Sequence, residues 1–378
     1  MKDLYLGIDL GGSKILAGVV TPSGKVLSRV KTATPFASGS AALARALTDT
    51  AAAALKAARA EKGRLIAIGL GSPGPLDPRS GVVLRTPNIA VRRFPAGRIL
   101  SEAFGAPVVL DNDVHMAVYG ELVAGAARRV RNVVGFWIGT GVGGCVIADG
   151  QVVHGVNQNA GELGHMILDA RKAGKRVGRG TLEWEASKTG MARMIRKQVR
   201  KGKKTRLAKH VSGSGKRLHS NDLARAFRDR DKVAVQAVEH SARSVGIAVA
   251  NLFDALAPEL FLLGGGVAES IGRPYLDLVL RSAREHAFTR ELGDVRVVAS
   301  ALKDDAGMLG AAFAARARHP ASQRQPAMRR RPAPRRPAAS PRKRRPAVHN
   351  INIVSQRAEP AAGARAAGGA ETPGIPNA

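Results

Sequence analysis

Short apolar runs separated by tight glycine-containing turns open the chain. The runs LYLGIDL, ILAGVV and KVLSRVKTA predict three consecutive strands, joined by the turns GGSK and TPSGK. An alanine-rich stretch from about Ser40 to Glu61 predicts a long helix. LIAIGLG and PVVLDND then predict two further strands, on either side of the loop SPGPLDPRSG, and a helix is predicted over 114–126. Strands that alternate with helices in this way predict a mixed sheet with helical cover.

The second part of the chain continues the alternation of strand and helix patterns. VVGFWIG, CVIADG and QVVHG predict strands, and MARMIRKQV predicts a helix. The basic segment 200–218 is predicted to be an exposed loop. Apolar residues at helical spacing predict a helix from about Asp231 to Leu256, and ELFLLGGGV predicts a buried strand. A helix over about 273–287, the strand VRVVAS and the helix DDAGMLGAAFAARAR complete the predicted globule.

Composition narrows the class of protein. The chain has 378 residues, 44% of them hydrophobic, which is enough for a two-domain α/β protein with a buried core. A single cysteine, Cys145, excludes an intramolecular disulfide framework and favours a cytoplasmic location. We expect no signal peptide at MKDLYLGIDLGG, and no membrane segment, since no run approaches the roughly 20 apolar residues that one needs.

The net charge of +31 is unusual. Residues 319–378 hold 12 Lys/Arg against 2 Asp/Glu and are dominated by Pro, Arg, Ala and Ser, so we expect a disordered tail. A field of this sign attracts polyanions, and the tail is a candidate for nonspecific polyanion contact. A general compositional bias toward Arg, Ala and Gly explains the charge equally simply and is the favoured interpretation.

Three glycine turns that follow apolar strands are the first candidate chemistry. They are DLGGSK at 9–14, IGTGVGG at 138–144 and LLGGGV at 262–267. Glycine lets backbone N–H groups approach phosphate oxygens closely, and Asp9 can hold a magnesium ion or its waters. Together the three turns suit a nucleotide bound between two domains, although no Walker P-loop pattern GxxxxGK[ST] is present.

Clustered carboxylates are the second candidate chemistry. Asp111, Asn112 and Asp113 end a predicted strand, where they suit either capping of the next helix or, for Asp113, general-base catalysis. GELGH and LEWEAS supply Glu162, His165 and further carboxylates of the kind that recognise a polyol. Glu162 and His165 are also spaced for metal ligation, and the local sequence leaves these alternatives open.

The ordered set of motifs resembles one family. GIDLGGSK, GSPGPLD, TPN, LDND followed by a helix, IGTGVGG, GELGH, LE and LLGGGV resemble the ROK family of bacterial repressors, open-reading-frame proteins and sugar kinases, over about Leu4 to Arg318. The resemblance implies the α/β, two-domain actin-like ATPase (ribonuclease H-like) fold. It divides the chain into a domain over 1–113 completed by the helix 304–318, a second domain over 114–303, and the tail. A homodimer is expected from the resemblance alone.

The resemblance also implies ATP-dependent phosphorylation of a hexose hydroxyl with Mg²⁺, most commonly glucose to glucose 6-phosphate. Asp113 would be the general base. The residues that would hold the sugar hydroxyls are Asn88, Asn112, Glu162, His165 and Glu183. The residues that would bind phosphates, magnesium and nucleoside are Asp9, Gly11, Gly12, Thr140, Gly141, Gly265 and Gly266, with Asp9 assigned to the magnesium.

Three departures from the family pattern qualify this picture. Many members bind zinc through the GELGH histidine and three cysteines, but here KRVGRGTLE has no cysteine, so no zinc site of that kind is expected. His115 stands where the family often has asparagine, and the sequence assigns it no role. The aromatic residue common after PN is missing from PNIAVRRFP, which leaves the sugar open.

Alternative functions come from several classes. A kinase that uses polyphosphate, or an N-acetylhexosamine kinase, would share the same site. A sugar-responsive transcriptional regulator is disfavoured, because the first glycine motif begins at Gly7 with no helix-turn-helix segment before it. A non-catalytic sugar sensor is disfavoured by the presence of Asp113.

Overall fold

Two five-stranded sheets with the same strand order organise the protein. The computed structural model describes residues 2–321 apart from 61–62, 87–88, 175–177, 213–217 and 289–293. Asn88, one of the predicted sugar-binding residues, lies outside the described residues, as does the predicted tail from residue 322 onward.

The first sheet has the order β3-β2-β1-β4-β8. Its strands are β1 (Lys2–Leu10), β2 (Lys14–Val20), β3 (Val26–Ala33), β4 (Gly63–Ser72) and β8 (Val108–Asn112). β1, β2 and β3 form an antiparallel meander, whereas β4 and β8 run parallel to β1. The run LYLGIDL is apolar almost throughout because β1 is central and buried on both faces.

The second sheet repeats the arrangement in the order β11-β10-β9-β12-β13. Its strands are β9 (Val133–Ile138), β10 (Val142–Ala148), β11 (Gln151–Val152), β12 (Leu260–Gly264) and β13 (Val297–Ala299). Again the first three strands are antiparallel neighbours and the last two run parallel to the central strand. The turns after β1 and β9 therefore occupy equivalent places in the two sheets, and each carries a glycine motif.

A small antiparallel sheet and a set of helices complete the described fold. The small sheet consists of β5 (Leu76–Asp77), β6 (Val82–Arg85) and β7 (Arg92–Phe94). The helices are α1 (Gly39–Ala57), α2 (Ala96–Phe104), α3 (Asp113–Ala124), α4 (Leu182–Ala186), α5 (Lys188–Arg200), α6 (Ala208–Val211), α7 (Ser220–Arg228), α8 (Lys232–Leu256), α9 (Gly266–Ile271), α10 (Arg273–His286) and α11 (Ala306–Arg318). Among the helices in the described part of the chain, none combines the length and apolar character that a bilayer crossing requires.

Helix α11 returns to the first sheet and lies unusually close to it. A Cβ atom added at Gly7 would be 2.0 Å from the carbonyl oxygen of Met308, and one at Gly69 would be 1.9 Å from that of Ala311. On the opposite side, a Cβ atom at Gly310 would be 1.6 Å from the carbonyl oxygen of Met116 in α3. Because glycine removes the Cβ atom at each crossing, α11 can pack between the sheet and α3.

The basic segment 200–218 differs from the sequence prediction of an exposed loop. Its described residues include the helix α6, and Leu207, Val211 and Leu218 belong to the core beside α8. The carboxylate of Asp231 caps α8 by accepting from the Val233 and Ala234 N–H groups, and its other oxygen accepts from Thr205. The few apolar residues of this segment are separated by many cationic residues and show no periodicity. For this reason the sequence pattern favours a loop.

Candidate active site

A cleft of about 1160 Å³ collects most of the predicted site residues. Those that line it are Gly12, Asn112, Asp113, Thr140, Gly141, Glu162, His165 and Glu183. Asp9, Gly11, Gly265 and Gly266 are not among its lining residues. Residues from the first glycine turn, the β8–α3 junction and the second glycine turn thus meet around one space.

Asn112 and Asp113 have different surroundings at the start of α3. The Asn112 side chain caps the helix, since its Oδ1 accepts from the N–H groups of Val114 at 2.8 Å and His115 at 3.2 Å. The Asp113 Oδ1 accepts only the Val114 N–H, at 2.9 Å, and the half-buried carboxyl lines the cleft. The capping interpretation therefore holds for Asn112, while the Asp113 carboxyl faces the space a substrate would fill.

Two half-buried carboxyls share an electrostatic environment at this point. Burial, reinforced by the negative charge of Asp113, raises the pKa of Asp9 to about 7. Burial and the nearby Glu162 charge raise the pKa of Asp113 to about 6, against the lowering effects of the Val114 N–H and of His115. Hard carboxylate oxygens beside a glycine turn suit Mg²⁺, so Asp9 fits the predicted ion.

The second glycine turn is braced by a carboxylate from α4. Oε2 of Glu183 accepts the Val142 N–H at 2.9 Å, and a Cβ atom at Gly141 would lie 2.2 Å from that oxygen. Gly141 is thus needed so that the turn and the Glu183 carboxylate fit together. Glu183 lines the cleft as predicted, but one of its oxygens already serves the backbone of the turn.

Gly265 lies beside the same turn. It has φ +85°, and an added Cβ atom would be 2.8 Å from the backbone nitrogen of Ile138 at the end of β9. Gly266 starts α9 and is more open, with the Ser220 hydroxyl 3.1 Å from its ideal Cβ position. The third glycine motif therefore adjoins the second, as a shared nucleotide site would require.

Glu162 and His165 also line the cleft, in and next to a short 3₁₀ turn over Leu163–His165. Their closest nitrogen and oxygen atoms are 4.0 Å apart, and their side chains are 66% exposed for His165 and 47% for Glu162. Both side chains are free to reach a ligand. Thr181, in the cysteine-free stretch KRVGRGTLE, has a structural role, since its hydroxyl accepts the Trp184 N–H and caps α4.

Sequence reasoning missed a group of buried polar side chains at the cleft, one of which, His115, lines it. Asp111 binds two histidines: Nδ1 of His115 is 3.0 Å from Asp111 Oδ1, and Nε2 of His154 is 2.7 Å from Oδ2. In the sequence His115 stands out only as a departure from the family, and His154 gives no signal, because 43 residues separate it from Asp111. The neighbouring Cys145 is fully buried, and burial together with the Asp111 charge raises the pKa of its thiol well above the usual range.

Comparison with known proteins agrees with this architecture. The model of the ROK family matches residues 5–318. A glucokinase from Halalkalibacterium halodurans is 34% identical over 308 residues, which cover 81% of this chain and 93% of the relative. The ROK hexokinase from Thermus thermophilus is 35% identical with a TM-score of 0.70, covering 83% of this chain and 98% of that one.

A ROK family glucokinase from Streptomyces griseus, solved in complex with glucose and AMPPNP, is also similar. It is 31% identical with a TM-score of 0.70, and the match covers 83% of this chain and 99% of the other. Fold and site together define the class: a sugar kinase with the actin-like ATPase fold. The chain belongs to the ROK family.

Proposed function

We propose that the protein transfers the terminal phosphoryl group of ATP to a hydroxyl of a hexose, converting glucose to glucose 6-phosphate. The observation that carries this proposal is the meeting of Asp113, the glycine turn 139–141 and Glu162 around one cleft. The similar Streptomyces griseus enzyme, whose structure holds glucose and AMPPNP, supports the choice of sugar and donor. The homodimer and the division into domains 1–113 and 114–303 remain predictions.

In this proposal Asp113 accepts the proton of the attacking hydroxyl. The new bond joins the sugar oxygen to the terminal phosphorus of ATP, the bond from that phosphorus to the bridging oxygen breaks, and ADP leaves. A pKa of about 6 keeps Asp113 mostly ionised at neutral pH and still basic enough to take a proton as the bond forms.

The remaining side chains bind and orient. Glu162 and His165, with the free oxygen of Glu183, would hold sugar hydroxyls, while Gly12, Thr140 and Gly141 would present N–H and O–H groups to phosphate oxygens. Asp9 would hold Mg²⁺, which when bound offsets the negative charge of the phosphates. Closure of the cleft around both substrates would exclude water and so favour transfer to the sugar over hydrolysis of ATP.

The deciding experiment is a coupled phosphorylation assay on a panel of hexoses and N-acetylhexosamines, with ATP or polyphosphate as donor. In Asp113→Asn we expect kcat to fall by about 10³-fold, within the range of general-base catalysis, while calorimetric sugar binding changes less than about threefold. Asp149→Asn is the matched control, because Asp149 is 87% exposed on a turn outside the cleft.

Three results would redirect the proposal. Full activity in Asp113→Asn would show that Asp113 is not the general base. Faster turnover with polyphosphate than with ATP would change the donor. Tight sugar binding by the wild type without any turnover would instead indicate a sugar sensor.

A further inference from the structure

One buried histidine that lines the cleft contacts two other parts of the chain. His115 is 3% exposed, in the first turn of α3. Its Nδ1 contacts Asp111 Oδ1 at 3.0 Å, and its Nε2 lies 2.9 Å from the carbonyl oxygen of Ala160. The His154 ring stands at 78° to the His115 ring and completes the group by binding Asp111 Oδ2.

The hydrogen-bond partners fix both protons of His115. A carbonyl oxygen only accepts, so Nε2 carries a proton that it donates to Ala160. Asp111 Oδ1 also accepts the Asn112 N–H at 2.7 Å, and bonds from His115 and His154 hold the Asp111 pKa well below its usual range despite burial. An ionised carboxylate only accepts, so Nδ1 also carries a proton. With both ring nitrogens donating, His115 would be a buried imidazolium.

The same three side chains offer ligand atoms within 4.8 Å of one another, which raises the question of a metal ion. In a tetrahedral site with metal–ligand distances of about 2.0–2.1 Å, neighbouring ligand atoms are about 3.3 Å apart. The Nδ1 atom of a histidine ligand must also be unprotonated to bind the ion. Here His154 Nε2 is 2.7 Å and His115 Nδ1 is 3.0 Å from the Asp111 carboxylate, and both are hydrogen-bond distances. The geometry favours protons over a metal.

The two hydrogen-bond partners of His115 each lie close in sequence to a proposed site residue. Asp111 is two residues before Asp113, and Ala160 is two residues before Glu162. Gly161, between Ala160 and Glu162, packs against the ring so closely that a Cβ atom there would lie 2.9 Å from Nε2. A single buried histidine thus joins the segment that bears the proposed base to the segment that bears a proposed sugar ligand.

We propose that His115 is a positioning residue: its two N–H groups clamp Asp111 to the 160–162 segment, and this sets the distance between Asp113 and Glu162 across which the sugar is held. The proposal rests on the proposed sugar-kinase function. His154 has a lesser part: its side chain steadies the far oxygen of Asp111, and its bond to the 160–162 segment is a backbone one, from the Ala160 N–H to the His154 carbonyl oxygen at 3.0 Å, which a side-chain substitution leaves in place.

The test compares His115→Gln with His154→Gln, using glucose and ATP. A glutamine side chain cannot donate to Asp111 and Ala160 with the span and charge of an imidazolium. For His115→Gln we expect the KM for glucose to rise about tenfold and kcat to fall about tenfold or more, with the KM for ATP changed less than twofold. For His154→Gln we expect less than about threefold change in each constant.

A change in the KM for glucose without a change in the KM for ATP distinguishes a positioning role from general damage to the fold. Equal loss toward glucose and ATP, or no loss, would overturn the proposal. If His115→Gln does not fold, the wild type still decides: ¹⁵N NMR of labelled histidine at pH 7.5 should show both ring nitrogens of His115 protonated. A neutral His115, or one equivalent of tightly bound metal by elemental analysis, would also overturn it. The NMR result is independent of turnover, so it stands apart from failure of the kinase proposal.

Discussion

At the scale of single residues, the Asp113 carboxyl connects the electrostatics of the cleft to a measurable rate. A general base works in its ionised form, which is populated above its pKa and lost as the pH falls through it. Because burial raises the pKa of Asp113 to about 6, we expect kcat/KM for glucose to decline below about pH 6, well above the range of an ordinary aspartate.

The measurement is kcat/KM between pH 4.5 and 8.5 at constant ionic strength, with the fold checked at each pH by circular dichroism. Asp149→Asn should reproduce the wild-type profile. An acid limb near pH 4 would mean that Asp113 titrates as an exposed carboxyl, and it would contradict the environment described for the cleft.

Part of the candidate site could be predicted from the sequence. The glycine motifs and the Asp111–Asp113 junction could be predicted, because each depends on neighbours within a few positions and on the strand that precedes it. The brace from Glu183 to the Val142 N–H, and the Asp111–His154 contact, could not be, since 41 and 43 residues separate their members and packing alone brings them together.

At the scale of elements, the close passage of α11 between the first sheet and α3 carries a stability prediction. A methyl group at Gly310 would overlap the Met116 carbonyl oxygen at 1.6 Å, and backbone on both sides prevents easy relief. We expect Gly310→Ala to lower the free energy of unfolding by about 3 kcal/mol or more, measured by urea denaturation.

Gly139→Ala serves as the control for that measurement. Apart from its chain neighbours, no atom of the described residues lies within 4 Å of the Cβ position at Gly139, so the free energy of unfolding should change by less than about 0.5 kcal/mol. A Gly310→Ala protein as stable as the wild type would show that α11 can shift away from α3 at little cost.

The sequence predicted helices and strands correctly where the apolar residues are periodic or form long runs, and it failed for the shorter elements. The strands of both large sheets follow apolar runs that stop at turn residues, and α8 follows its helical spacing. The helices α2, α4, α6, α7 and α9 and the small sheet β5–β7 were missed, because each of these elements is short and gives little repeated signal.

At the scale of the whole molecule, two sheets of identical strand order place equivalent glycine turns toward a common region. The charge of +31 is distributed over the chain and includes the 12 Lys/Arg and 2 Asp/Glu of residues 319–378. Such an excess concentrates polyanions near the protein in a salt-dependent manner.

We therefore expect single-stranded DNA of mixed sequence to bind the full chain weakly, with an affinity that falls steeply as salt rises. Deletion of residues 322–378 should reduce the slope of log K against log salt by about 0.7 for each phosphate that this segment neutralises. Fluorescence anisotropy over a salt series measures both chains, and glucose phosphorylation by the shortened chain is the control for its fold. Identical slopes would assign the DNA binding to the globule.

The burial of Cys145 has a practical consequence. Because the chain has one thiol and the fold hides it, a maleimide dye will leave the native protein unlabelled. Cysteines introduced at two surface positions on opposite sides of the cleft then become the only points of attachment. Energy transfer between two such dyes would follow cleft closure in single molecules as sugar is added, without first engineering a cysteine-free background.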